Sequence, residues 1–269
     1  MDLPSLVVAM LITGAAAGVL AGLLGVGGGI VIVPALEIAL QTIGVDAQVR
    51  MHIAVGTSLA VIIPTSISSA AAHYRRDAID FDVIRFWSPL IFAGAIIGAV
   101  VAAQVSGRVL YAVFSIVALL VAANMMWPGQ GRTVWSGVPR DAVGSSIPVG
   151  IGFISTLMGI GGGSMSVPAM TLMGRSIHRA VGTSSLLGLV IAVPAATGYG
   201  VAGWGNELTP AWSVGYVSLI GLAFIAPTTI LFAPVGARIA HALSHRWLSG
   251  AFGAFLLAVA IRMGFKALA

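Results

Sequence analysis

Nearly uncharged apolar runs, most of them about twenty residues long, follow one another along this chain with only short polar interruptions. A helix needs about 20 apolar residues to cross the hydrocarbon core of a bilayer. Ten apolar segments are read from the sequence, at 5–24, 28–41, 52–73, 86–105, 107–126, 141–158, 162–174, 178–200, 212–233 and 246–265. Charged residues make up 8% of the chain, against roughly 25% in soluble domains. That is too little to coat a globule of 269 residues with water-compatible surface. The expected class is therefore an all-α integral membrane protein. Asp2 stands where a cleavable signal would carry basic residues, so Leu6 to Leu24 reads as the first membrane segment.

Two of the ten segments, 28–41 and 162–174, are too short for a comfortable crossing. Each follows a glycine cluster and contains a proline. Gly25-Val26-Gly27-Gly28-Gly29 leads to Val33-Pro34-Ala35, and Gly159-Ile160-Gly161-Gly162-Gly163 leads to Val167-Pro168-Ala169, at a constant offset of 134. A second pair of blocks follows at an offset of 126. His52-Ile53-Ala54-Val55-Gly56-Thr57-Ser58 matches His178-Arg179-Ala180-Val181-Gly182-Thr183-Ser184. Two ordered blocks, each in one register, indicate an internal duplication. The expected organisation is a first membrane repeat over 1–127, a connector over 128–140 and a second repeat over 141–269. Short Gly/Pro-interrupted segments at matching places in two halves point to a transporter's binding site.

Five crossings per half would invert one repeat relative to the other. With the N-terminus outside, the inside loops hold Arg75, Arg76, Arg85, Arg132, Arg140, Arg175, Arg179, Arg238 and Arg246. The outside holds Arg50, Arg108, Arg262 and Lys266. Nine against four follows the positive-inside rule and puts both termini outside. The formal net charge of +5 is explained by these loops, and no basic stripe suggests nucleic acid.

The chemistry available is limited. The chain has no cysteine, so disulfides, thiolate metal sites and cysteine nucleophiles are excluded. Neither His52 nor His178 has a carboxylate or second histidine at helical spacing, so no metal or cofactor is expected. A helix beginning beyond three glycines would present free N–H groups and the positive end of its dipole, which suits an anion. Close helix packing is the plainer use of the same glycines. Thr57, Ser58, Thr183 and Ser184 lie in apolar segments, where hydroxyls either bond back to helix carbonyls or donate to an anion. Glu37, His52 and His178 are the titratable candidates for gating or coupling. Asp77, Asp80 and Asp82 beside Arg75, Arg76 and Arg85 read as a solvated loop. Gly14-xxx-Gly18-xxx-Gly22 and Gly94-xxx-Gly98 are close-packing faces, within one chain or across a homodimer.

The blocks Gly22-Leu-Leu-Gly-Val-Gly-Gly-Gly-Ile-Val-Ile-Val-Pro-Ala-Leu36 with Ala54-Val-Gly-Thr-Ser58, and Met158-Gly-Ile-Gly-Gly-Gly-Ser-Met-Ser-Val-Pro-Ala-Met170 with Ala180-Val-Gly-Thr-Ser184, resemble the TauE/SafE, or sulfite exporter, family of membrane transporters. The resemblance spans nearly the whole chain. It implies movement of a small anion, sulfite or an organosulfonate, across a bacterial inner (plasma) membrane. It carries over the positions Gly27, Gly28, Gly29, Pro34, Thr57 and Ser58, and Gly161, Gly162, Gly163, Pro168, Thr183 and Ser184 as substrate-binding candidates. The expected function is secondary transport, with the lipid bilayer and the anion as partners and an anion site near the midplane between the repeats. Two rival readings are a non-transporting membrane scaffold and an intramembrane enzyme. The enzyme reading lacks a His-Glu-x-x-His or Gly-x-Ser-x-Gly motif.

Overall fold

The computed structural model describes residues 3–24, 28–126, 135, 137–242 and 245–268. Ten helices account for nearly all of them: α1 (Leu3–Leu24), α2 (Gly29–Thr42), α3 (Ala47–Tyr74), α4 (Phe81–Ala102), α5 (Gly107–Met126), α6 (Ala142–Met158), α7 (Gly163–Leu172), α8 (Ile177–Ala202), α9 (Leu219–Ala242) and α10 (His245–Leu268). Each coincides with one of the ten apolar segments. The described part of α10 (Gly250–Leu268), the described part of α5 (Gly107–Asn124), and α3, α4 and α8 are long and apolar enough to cross a membrane. Most of the 128–140 connector lies outside the described residues.

Polar residues at the segment edges start the helices. Asp46 accepts from the Gln48 amide at 2.8 Å, Asp141 from the Gly144 amide at 2.8 Å and Ser218 from the Gly221 amide at 3.2 Å, each supplying an acceptor to an otherwise unpaired N–H. The caps shift two starts from the apolar segments: α9 begins at Leu219 instead of 212, and α3 begins early. α3 begins at Ala47 instead of 52, which moves His52 off the end of the helix and into its body.

α3 and α8 pack against each other at the centre, and the remaining principal pairings come in matched couples. α1 packs on α9 and α6 on α4; α3 on α9 and α8 on α4; α2 on α3 and α7 on α8; α5 packs on α10. Exchanging each helix for its counterpart in the other half returns the same set. The glycine faces make these contacts within the chain. A Cβ at Gly14 would meet Ile225 O of α9 at 2.9 Å, and one at Gly94 would meet Val149 O of α6 at 2.1 Å. Backbones approach this closely only because no side chain intervenes. Around this core, α4 exposes Ile96, Ile97 and Val100, and α5 exposes Ile116, Leu119 and Leu120. Such faces suit lipid tails and would be anomalous in water.

Among the described residues the only strands are Ser213–Val214 and Val217–Ser218, a ribbon in antiparallel register Ser213 to Ser218. It precedes α9 and carries the exposed Trp212 and, upstream, Trp204, aromatics of the kind that sit at a headgroup boundary.

Candidate functional site at the glycine breaks

α7 has ten residues and so rises about 15 Å, half of a hydrocarbon core. It returns toward the end from which α6 came. The turn between them is set by backbone conformation. Gly159 closes α6 in the left-handed region at φ 72°, and Gly162 opens α7 at φ 74°. Both are conformations that L side chains rarely adopt. Space is tight as well: a Cβ on Gly162 would lie 2.4 Å from Ile191 Cδ1, so that buried side chain would have to shift.

The first half clasps this turn. Ser58 on α3 donates from Oγ to Gly159 O at 2.7 Å. A Cβ on Gly29, at the start of α2, would lie 2.5 Å from that same carbonyl oxygen. One on Gly161 would meet Ile62 Cγ2 of α3 at 3.0 Å. The breaks of the two halves therefore touch, with Gly29 beside Gly159 and Ile160, while Gly28 faces Ala17 of α1. Gly27 lies outside the described residues. Pro34 and Pro168 sit inside α2 and α7, where each withholds the amide that would bond the carbonyl four residues earlier.

Hydroxyls mark the start of α7. Its N-cap residue, Gly162, has no side chain with which to cap the first amides. Ser166, in its first turn, is fully buried, and its Oγ has no hydrogen-bond partner among the described residues. It lies 3.6 Å from where a Gly162 Cβ would stand. Ser155 Oγ and Thr156 Oγ1, near the end of α6, are likewise buried without partners. In the first half the corresponding positions are Ile32 for Ser166, Ala21 for Ser155 and Gly22 for Thr156. The polar character belongs to one break only. That signal stood in the sequence as Gly-Gly-Ser-Met-Ser against Gly-Gly-Ile-Val-Ile.

The Val-Gly-Thr-Ser hydroxyls have protein partners. Ser184 bonds back to Val181 O at 2.9 Å. Thr57 Oγ1 accepts from the Ser218 amide at 2.9 Å, and Thr183 Oγ1 accepts from the Asp80 amide at 2.8 Å. Asp80 is buried rather than solvated, capping α4 and pairing with Arg175 Nε at 3.1 Å.

The titratable candidates separate. His178 is exposed at the start of α8, whereas His52 is buried, its Nε2 lying 3.2 Å from both Ala102 O and Val105 O. Two carbonyls can only accept, so Nε2 carries the proton. Glu37 is completely buried. Tyr111 donates to its Oε1 at 3.0 Å, Lys266 contacts the same oxygen, Arg262 Nη2 lies 3.1 Å from Oε2, and Arg50 Nη1 lies 3.9 Å from Oε1. Arg50 and Lys266, with Arg108, line a cavity of about 680 Å³. All four basic residues that the charge count put outside thus stand at or beside this cavity. At the other end Arg175 meets Asp80, and Arg140 lies 5.9 Å from the Phe86 ring.

Comparison with known proteins adds the following. A family model described as "Sulfite exporter TauE/SafE" matches residues 10–263. A Haemophilus influenzae protein named "Probable membrane transporter protein" is 33% identical over 258 residues, covering 95% of this chain and 97% of its own. "Probable membrane transporter protein YunE" of Bacillus subtilis is 33% identical over 189 residues, covering 62% of this chain and 67% of its own. "Probable membrane transporter protein MJ0441" of Methanocaldococcus jannaschii is 27% identical, with 92% and 94% covered. No solved structure matches significantly.

Proposed function

Because the chain belongs to the sulfite exporter TauE/SafE family and is a multi-pass membrane transporter, we propose that it carries small anions by secondary transport, with sulfite and organosulfonates as the substrate class. The anion binds near the midplane where the two halves meet, and the halves, 1–127 and 141–269, are inverted relative to each other. The observation that carries this reading is the Ser166 hydroxyl, buried without a partner beside the uncapped start of α7. An unmet buried hydroxyl is costly, which a ligand's oxygen would relieve. The uncapped amides and the positive end of the α7 dipole favour negative charge without a fixed cation. An anion held so can leave again, as transport requires. Gly162 keeps a side chain out of the space beside Ser166, Gly29 lets α2 approach the turn, and Ser58 holds that turn at Gly159.

An inside-negative potential drives each negative charge outward by roughly 2.3 kcal/mol per 100 mV, and a dianion by about twice that. Export of this substrate class therefore needs no other coupling ion. The test is flux of sulfite and a panel of sulfonates in proteoliposomes under an imposed potential, for the wild type and Ser166→Ala. Potential-driven flux that drops about tenfold or more in the variant, the scale of one charge-assisted hydrogen bond, supports the site. Undiminished flux through Ser166→Ala rules out Ser166 as a ligand. No flux of any panel member rules out the substrate class.

A further inference from the structure

The cavity beside Glu37 has a charge imbalance that the midplane site does not use. One fully buried carboxylate faces three cations, Arg50, Arg262 and Lys266. Arg50 and Lys266 line the cavity together with Arg108, Glu37 and Arg262 stand behind them, and the described lining contains no acidic residue. We propose that it is a second anion site, separate from the midplane one, which takes a small oxyanion (a sulfonate, sulfite or sulfate group) at the end of the molecule assigned to the outside.

The donors support this ligand chemistry. The Lys266 ammonium has three protons and spends two contacts, on Glu37 and on Gln41 Oε1 at 2.6 Å. Its third donor is left for a ligand. Arg50 directs Nε and Nη2 to Val45 O, at 3.2 and 2.7 Å, which fixes the guanidinium at the wall of the cavity. Tyr216, whose hydroxyl accepts from Asn206 at 3.1 Å, retains its own proton to donate. Basic residues at a membrane edge commonly reach outward to lipid headgroups. Arg50 and Lys266 do not: they are 15% and 22% exposed and turn toward Glu37. A volume of about 680 Å³ falls in the range of small-molecule sites and exceeds a bare sulfite, leaving room for an organic tail or a hydration shell. A mouth lined by one sign of charge between low-dielectric walls concentrates counter-ions at the start or end of the path.

Binding here does not depend on the midplane site, and one experiment separates them. The chain has no cysteine, so Ser106→Cys places a single thiol in the cavity lining. Its labelling by a sulfonate-bearing methanethiosulfonate is followed on full-length protein in detergent, with methanesulfonate or sulfate as competitor. Either competitor at millimolar concentration is expected to slow labelling about tenfold, while sodium chloride of equal ionic strength has little effect. Adding Lys266→Gln abolishes the protection, Lys266→Arg keeps it, and Ser166→Ala keeps it. Equal protection by chloride, unchanged protection in Lys266→Gln, or loss in Lys266→Arg as well as Lys266→Gln each overturns the proposal. Loss in Ser166→Ala overturns it too, because the effect then arises at the midplane. Absence of protection by either oxyanion overturns it in favour of a cavity that serves lipid headgroups only.

Discussion

Thr57 Oγ1 lies 2.9 Å from the amide nitrogen of Ser218, which caps α9. Its duplicate, Thr183, bonds at 2.8 Å to the amide of Asp80, which caps α4. The preceding glycines complete the symmetry. A Cβ on Gly56 would lie 2.6 Å from Tyr216 O, and one on Gly182 would lie 2.3 Å from Ala78 O, two residues before each cap. The doubled Val-Gly-Thr is thus a crossed lock. In each half it receives the incoming turn of the other half's fourth helix.

Replacing Thr57 or Thr183 by valine keeps the shape and leaves a buried N–H unmet. Each change should cost about 1–3 kcal/mol. Thermal unfolding in detergent would show it, with Thr→Ser retaining part of the loss. The locks share no partner, so the two losses should add. A Thr57→Val protein with unchanged stability and impaired anion binding would instead mark the hydroxyl as a ligand.

Glu37→Gln removes the carboxylate that three cations share. Breaking a fully buried pair costs about 3–5 kcal/mol, and partial exposure of the cations lowers this to about 2–3 kcal/mol. Lys266→Gln should cost less, about 1 kcal/mol, since Arg262, Arg50 and Tyr111 still satisfy the carboxylate. Comparing the two midpoints of thermal unfolding checks the order, and equal losses would contradict it.

Ser166→Ala removes a buried hydroxyl that bonds to nothing described in the fold. Stability should hold or rise by up to about 1–2 kcal/mol while transport falls. Paired flux and unfolding measurements distinguish this from a structural serine, whose loss would lower both together.

Gly29→Ala would press a methyl against Gly159 O, a backbone atom already fixed by Ser58. A loss of about 1–3 kcal/mol is expected. Gly150→Ala in the middle of α6 meets nothing within 4 Å and should gain up to about 1 kcal/mol from helix propensity. Opposite signs in the unfolding midpoints would locate the constraint in contact rather than in glycine content.

Helix number and the breaks were legible because lipid imposes long apolar runs and because glycine clusters stand out against them. The doubled motif blocks were legible for the same reason. Partners were not. That Thr57 would meet Ser218, 161 residues away, depends on how α3 and α9 pack, which no local pattern encodes. Asp80 looked solvated because its neighbours Asp77, Asp82 and Arg85 are polar, yet it faces inward to Arg175. His52 and His178 look equivalent in sequence and are not, since α3 extends past its hydrophobic run and buries one of them. Glu37 was visible as an intramembrane acid. Its cations come from α3 and α10, and only the packing of α2 brings them to it.

The crossed lock also sets an order of assembly. The Asp80 amide gains its acceptor only when Thr183, 103 residues later, has been made. At about 5–20 residues per second, that is a wait of roughly 5–20 s on the ribosome. Throughout that wait the carboxylate of Asp80 can cap the first turn of α4, but its amide lacks the acceptor that Thr183 brings. The nascent first half is an open receptacle, and the second half closes it on arrival.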